Sequence, residues 1–182
     1  NLPPVFTCPS QPVYLTEGFG NHYIALSSLV TDPDGDVLSV NATSSDTDVV
    51  TASTTATNLV ITEVGNGSST ITLTAFDGTY QRNCAFEVIV NNVNDPPQVV
   101  NPVTDIEINE GFGDYTIHLN NVFSDPDGDP LTYDAISSVT TVATVSLVGA
   151  TLTITEVAPG VSNITVTASD AEFDTNESFS FT

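Results

Sequence analysis

Short stretches of the chain alternate apolar and polar residues with a period of two. Ile71, Leu73 and Ala75 are interleaved with Thr70, Thr72 and Thr74, and Ile164, Val166 and Ala168 with Thr165 and Thr167. That period places one set of side chains on a buried face and the other toward water, which predicts half-buried β-strands. Reading onward, the pattern predicts about seven strands in the first half of the chain, near 12–15, 22–26, 37–42, 48–52, 58–62, 70–75 and 84–90. Gly, Pro, Asn and Asp cluster between them, where turns are needed. No segment keeps a helical period over three turns.

The same pattern returns after 93 residues. Asp32-Pro33-Asp34-Gly35-Asp36 recurs as Asp125-Pro126-Asp127-Gly128-Asp129, and Glu17-Gly18-Phe19-Gly20 as Glu110-Gly111-Phe112-Gly113. Thr62-Glu63-Val64 maps onto Thr155-Glu156-Val157, Ala75 and Asp77 onto Ala168 and Asp170, and Asn1 with Pro3 and Pro4 onto Asn94 with Pro96 and Pro97. No insertion separates these anchors, so the chain reads as two copies of one folding unit, residues 1–93 and 94–182. The second copy is expected to be truncated at its C-terminus, because Thr182 falls short of the counterpart of Val90, and the whole is expected to be a piece of a longer protein. Seven short strands per copy with these turns predict an all-β protein of two tandem seven-stranded Greek-key β-sandwiches of immunoglobulin-like shape. Tryptophan is absent, which excludes an antibody-type core. The junction Asn91-Asn92-Val93-Asn94-Asp95-Pro96-Pro97 ends in two prolines that stiffen it, and reads as a short semi-rigid hinge.

Charge narrows the partners. The 23 acidic residues face a single basic one, Arg82, for a formal charge of -22. Such a chain repels nucleic acid and anionic lipid and attracts cations. Hydrophobic residues still make up 40%, enough for a core, so the acidity does not predict disorder. No apolar run is long enough to span a bilayer. Cys8 and Cys84 both lie in the first copy, facing Asn101 and Glu177 in the second. In a sandwich whose first and last strands are neighbours they can meet as a disulfide; the alternative is two free thiols. A bridge closing so long a loop contributes up to about 4.5 kcal/mol and belongs in an oxidising, extracytoplasmic compartment.

The candidate chemistry is in the acidic turns. Asp32, Asp34 and Asp36 alternate, so some carboxylates point the same way, and pairs held about 5 Å apart repel by roughly 1 to 3 kcal/mol. A hard cation justifies that cost, and calcium takes six to eight oxygens from carboxylates, carbonyls, amides and water. The plainer reading is a solvated β-turn, with proline at its second position and a glycine supplying positive φ. That turn accounts for Asp34 and Gly35, but neither for the recurrence of Asp32 and Asp36 nor for Asp77 and Asp170 at strand ends. An EF-hand is excluded, because its twelfth position counted from Asp32 is Thr43.

As a set, Glu17, Asp32-Pro33-Asp34, Ala75-Phe76-Asp77 and Asn92-Val93-Asn94-Asp95-Pro96-Pro97 resemble cadherin-like repeats, above all the cadherin-like tandem repeats of bacterial extracellular surface proteins and adhesins. Leu131-Thr132-Tyr133 after the second Asp-Pro-Asp-Gly-Asp turn belongs to the same pattern. The resemblance implies calcium between successive repeats, held by Glu17 of one copy, by Asn92, Asn94 and Asp95 of the linker, and by Asp125, Asp127 and Asp170 of the next. It implies that Asn1, Asp32, Asp34 and Asp77 serve a preceding junction and Glu110 a following one. The chain departs from cadherins where they carry Asp-Arg-Glu, having Gly65-Asn66-Gly67 and Ala158-Pro159-Gly160 instead, and Pro96 replaces a linker ligand. Those losses imply fewer ions per junction.

The remaining candidates are bland. His22 and His118 do not correspond between copies and have no neighbouring ligand residue. No Gly-x-Ser-x-Gly motif occurs, and catalysis is not expected. The expected function is a calcium-binding segment of a large extracellular or cell-surface protein, acting as a calcium-stiffened spacer or adhesion module. Its expected partners are neighbouring repeats, homophilic or heterophilic protein contacts, or a surface glycan, with no nucleic acid and no membrane insertion. The alternative is a carbohydrate- or protein-binding β-sandwich module of a secreted protein, without structural calcium. The five tyrosines bear on it, since an aromatic platform would be expected to recur, yet Tyr14 is matched by Glu107.

Overall fold

The computed structural model describes residues 1–182. They fall into two compact units, Asn1–Val93 and Asn94–Thr182. Each unit is a Greek-key β-sandwich, and no helix is long and apolar enough to cross a membrane.

In the first unit the strands are β1 (Val5–Phe6), β2 (Val13–Thr16), β3 (Asn21–Ala25), β4 (Val30–Thr31), β5 (Ser39–Ser44), β6 (Val50–Thr54), β7 (Asn58–Glu63), β8 (Gly67–Phe76) and β9 (Gln81–Asn91). A single helical turn, α1 (Leu26–Leu29), precedes β4. One sheet has the order β2-β9-β8-β5 and the other β3-β7-β6. Every pairing is antiparallel except that of β2 with β9, so a strand near the start of the unit runs beside its last. The threonine-rich alternation does what its period predicts: Ile71, Leu73 and Ala75 are fully buried, and Ile71 and Leu73 pack with Val50, Leu59, Ile61, Phe86 and Val88. The seven expected strands correspond to β2, β3 and β5–β9, with β5 and β6 starting two residues later than predicted. The pair β1–β4 and the turn α1 were not predicted.

The second unit repeats this plan with β10 (Gln98–Val99), β11 (Asp114–His118), β12 (Phe123–Ser124), β13 (Thr132–Ser137), β14 (Ala143–Val148), β15 (Thr151–Glu156), β16 (Ser162–Ser169) and β17 (Asp174–Phe181). Its sheets are β11-β15-β14 and β13-β16-β17, around Leu119, Phe123, Leu152, Ile154, Ile164, Val166, Phe179 and Phe181. Phe19 and Phe112 each pack against the core of their own unit, Phe112 with its ring 5.3 Å from that of Phe181. Each core admits one polar side chain at equivalent places, Ser69 and Ser162. Both are fully engaged: Ser69 accepts from Asp46 N and pairs with Ser44, and Ser162 accepts from Val139 N and pairs with Ser137. A buried hydroxyl is tolerable on those terms.

A disulfide joins Cys8 to Cys84, with their Cα atoms 6.4 Å apart. It ties the segment between β1 and β2 to β9 on the outside of a core that the second unit assembles without it.

Candidate metal centre

The acidic turns are built from their own backbone outward. Asp32 Oδ1 accepts the N–H groups of Asp34 (2.8 Å) and Asp36 (3.1 Å), and Gly35 N closes the turn onto Asp32 O at 3.3 Å. Asp125 does the same for Asp127 (2.9 Å) and Asp129 (3.1 Å). Gly35 and Gly128 take φ of 82° and 79°, the left-handed region that lets the turn fold back on its aspartate. The turn therefore explains more of Asp32 and Asp125 than the sequence suggested, but only one oxygen of each. The other, Oδ2, is buried and has no hydrogen-bond partner in either turn.

Asp77 and Asp170 follow the same division. Asp77 lies at the end of β8, where its Oδ1 accepts from Thr79 N and Tyr80 N, both at 2.7 Å; Asp170 Oδ1 accepts from Glu172 N (2.8 Å) and Phe173 N (2.7 Å). These aspartates cap the hairpins to β9 and β17, a structural role the sequence did not disclose. Asp77 Oδ2 is buried without a partner, while Asp170 Oδ2 accepts from Asn94 Nδ2 at 3.1 Å. Burial raises the Asp77 carboxyl, but the N–H groups of Tyr80 and Thr79 and the nearby Asn1 amide outweigh it and hold the group below its ordinary value. The Phe173 N–H leads the same outcome at Asp170, against a smaller opposing effect of burial and with help from Glu172 N and Asn94. Both groups stay ionised, as a cation ligand must.

The segment that begins each unit is drawn onto these carboxylates. Asp34 Oδ2 accepts from Leu2 N and lies 3.8 Å from the Asn1 ammonium. Asp127 Oδ2 accepts from Asp95 N at 2.7 Å. Within the first unit the fold thus brings Asn1, Asp32, Asp34 and Asp77 together, and within the second Asn94, Asp95, Asp125, Asp127 and Asp170. Asp95 takes part through its backbone, and its side chain is exposed. Asp36 and Asp129 belong to the clusters as well: in each turn one oxygen from each of the three aspartates lies within 4.8 Å of the others.

Glu17 and Asn92 are not part of the first unit's cluster. Glu17 N donates to Asn91 O at 2.9 Å, and Glu17 Oε2 accepts from Val93 N at 3.2 Å, at the far end of β9. Asp77 sits beside the start of β9, so a strand of 11 residues, about 35 Å long, separates the two ends. Asn92 Oδ1 accepts from Asn66 Nδ2. Glu110, the counterpart of Glu17, is exposed. The histidines lie on β3 and β11, each an edge strand of its sheet.

The candidate ligand atoms of the two clusters are carboxylate oxygens, with no sulfur or imidazole. That set suits a hard cation of irregular coordination and fits calcium. The three orphaned oxygens make the same point energetically, since a buried carboxylate oxygen without a donor is costly and a cation would remove the cost. What the sequence missed was Glu63 and Glu156. They were visible only as members of the repeated Thr-Glu-Val triplet, yet each receives the backbone of the Gly-Phe-Gly loop.

Comparison with known proteins bears on the fold. The chain is similar to the EC1-2 segment of human protocadherin-24, with a TM-score of 0.51 and 15% identity over 100% of this chain and 99% of that one. It is also similar to the human desmocollin-1 ectodomain, with a TM-score of 0.50 and 14% identity over 98% of this chain and 40% of that one. These likenesses show that the fold is cadherin-like. An endo-fucoidan hydrolase, MfFcnA4 of glycoside hydrolase family 107, aligns with a TM-score of 0.43 and 18% identity over 98% of this chain but 28% of the hydrolase, too loosely to bear on chemistry. No family model and no curated protein matches the sequence.

Proposed function

We propose that the chain is a calcium-binding cadherin-like segment of an extracellular or cell-surface protein, serving as a calcium-stiffened spacer or adhesion module rather than as an enzyme. The observation that carries this reading is the buried, unpartnered Oδ2 of Asp32, Asp77 and Asp125, each on an aspartate whose other oxygen is already used to shape its own turn. In the second unit Asp125, Asp127 and Asp170 would hold the ion, with Asp95 N and Asn94 Nδ2 steadying the Asp127 and Asp170 carboxylates. In the first, Asp32, Asp34 and Asp77 with Asn1 would do so. A cation there would neutralise part of the cluster and fasten the residues that open each unit to its folded body, which is how a string of such units gains stiffness. The cadherin-like fold supports an adhesion or binding module, and the Cys8–Cys84 bridge supports an oxidising, extracytoplasmic setting. Bacterial surface adhesins remain the proposed context, on the strength of the repeated turns and linker.

The test is thermal unfolding at constant ionic strength in excess EDTA, in millimolar magnesium and in millimolar calcium. Extracellular calcium modules bind at roughly 0.1 to 1 mM, and an ion that binds only the folded state raises the midpoint. A rise specific to calcium, abolished by Asp125→Ala with Asp127→Ala for the second unit, is expected. Equal midpoints in the three conditions would remove the calcium reading and favour a plain protein- or glycan-binding sandwich. Tyr80 and Phe173, exposed at equivalent hairpins, would then be the side chains to examine by glycan array.

A further inference from the structure

The Glu-Gly-Phe-Gly loops are organised by a carboxylate from another strand. In the first unit Gly18 and Gly20 lie in left-handed backbone, at φ 85° and 65°. A Cβ at either position would meet nothing within 4 Å, so the backbone conformation, and not crowding, is what calls for glycine. That conformation turns two amides toward one acceptor. Gly18 N donates to Glu63 Oε1 at 2.6 Å and Gly20 N to Glu63 Oε2 at 2.7 Å, while Glu63 N donates back to Gly20 O at 2.9 Å. Backbone amides converging on a carboxylate form an anion-binding nest, here filled by the protein's own side chain through charge-assisted bonds. The second unit repeats the arrangement in part: Gly111 N alone donates to Glu156, to Oε2 at 2.9 Å, and Glu156 N donates to Gly113 O at 3.1 Å, with Gly111 and Gly113 at φ 88° and 76°.

Immediately before Gly18 stands Glu17, whose N–H is fixed to Asn91 O and whose Oε2 receives Val93 N. The residue is thus held on one side by β9 and on the other by a loop whose shape depends on Glu63. We propose that Glu63 is a positioning residue for Glu17: by clamping the Gly18 and Gly20 amides it directs the Glu17 carboxylate onto the last residues of the first unit. Both oxygens of Glu63 are engaged by the loop, so it acts through Glu17 and not as a ligand itself. The proposal rests on the calcium reading only in taking Glu17 as the further ligand that the cadherin-like resemblance implies, outside the two aspartate clusters; the clamping of the loop stands apart from it.

The experiment uses the intact 182-residue chain and the variants Glu63→Gln, Glu63→Asp and Glu17→Gln. Glutamine keeps the length but offers one acceptor and sets its NH2 against an amide; aspartate keeps the charge but is too short to span both amides. Two quantities are read: calcium chloride affinity by isothermal titration calorimetry, and hydrogen exchange at Gly18, Gly20 and Val93 by NMR in metal-free protein. Either Glu63 variant is expected to speed exchange at all three amides and to weaken, by about tenfold, the same calcium-binding step that Glu17→Gln weakens. Unchanged Val93 exchange in both Glu63 variants would overturn the proposal, whatever happens to the melting temperature. So would calcium affinity that falls in Glu17→Gln but in neither Glu63 variant. If the parent chain takes up no calcium, the calcium reading fails alone, and Val93 exchange decides the positioning role by itself. Should Glu63→Gln not fold, Glu63→Asp supplies both readouts.

Discussion

The two units differ most where their opening segment meets their last strand. In the first, Cys8 is bonded to Cys84 on β9, and β2 then pairs with β9 over four residues, Val13 to Thr16. In the second, the places of the cysteines are held by Asn101 and Glu177; Ile106 pairs in parallel with Phe181 as Val13 does with Val88, and Ile106 N and Ile108 N donate to Ser180 O and Thr182 O. Two carboxylates carry out the fastening there. Glu177 Oε1 accepts from Val103 N at 2.9 Å, and Asp105 Oδ1 accepts from Ser180 N at 2.7 Å; in the first unit Pro12 stands at the place of Asp105 and has no such acceptor. The same sandwich is thus closed once by a covalent bond and once by side-chain acceptors. Closure is an addition to a fold already specified by the buried faces that both units share, Ile71 and Leu73 in one and Ile164 and Val166 in the other.

Breaking the closures is the most direct way to sharpen that contrast. Replacing both cysteines by alanine is expected to destabilise the first unit by about 2 to 5 kcal/mol and leave the second unchanged, read by residue-resolved hydrogen exchange across a denaturant series. A loss shared equally by both units would show that they unfold as one.

Next in size is the effect of the ion. At a calcium concentration 100 times the dissociation constant, binding is worth about 2.7 kcal/mol. Asp32→Asn should abolish that gain in the first unit, and Asp125→Asn in the second. Asparagine keeps the Oδ1 that shapes each turn but loses the charge. In EDTA the same variants should therefore melt at the parent temperature or slightly above it, because repulsion within the cluster is relieved. A variant that melts lower in EDTA would mean that the turn and not the ion needs the carboxylate.

Removing the second unit's fastener should cost less than removing the disulfide. Glu177→Ala leaves the half-buried Val103 N–H without its acceptor, a loss of about 1 to 2 kcal/mol confined to the second unit in urea unfolding.

The smallest effect should also be the same in both units. Asp77 and Asp170 are held below the ordinary carboxyl value of 3.8, so the folded state binds fewer protons than the unfolded one. Their contribution to stability is fully present above that value and is lost as the pH falls through the lower, folded-state values. Urea midpoints measured downward from pH 5 should decline in parallel for the two units, and a decline in only one would break the equivalence of the two hairpin caps.

Much of this was readable in the chain. Strands β8, β15 and β16 stand out because alternation of Thr with Ile, Leu and Val is a local signal that does not depend on the partner strand. The two-residue strands β1 and β4 were not readable, since they exist only by pairing Val5 with Thr31 and Phe6 with Val30, far apart in sequence. The four-residue helical turn at Leu26 is too short to show a period. At the candidate site, recurrence picked out Asp32, Asp77, Asp125 and Asp170, but not that each spends one oxygen on its own turn. That division depends on the directions of backbone N–H groups, which are fixed only once the turn has folded. Glu63 was passed over for a similar reason: its partners, Gly18 and Gly20, lie on a different loop and become neighbours only when β3 pairs with β7.

Sequence by itself therefore determined the units, their β character, the faces of their strands and the residues rich in oxygen, because repetition, period and composition are properties of the chain. Tertiary structure decided which oxygens were spent on capping turns and which were left buried without a partner. It also decided that Glu63 clamps the loop of Glu17, and that Glu177 answers for a missing disulfide. Each of those depends on two or more groups meeting at hydrogen-bond distance, and that proximity comes from strand pairing rather than from the order of residues.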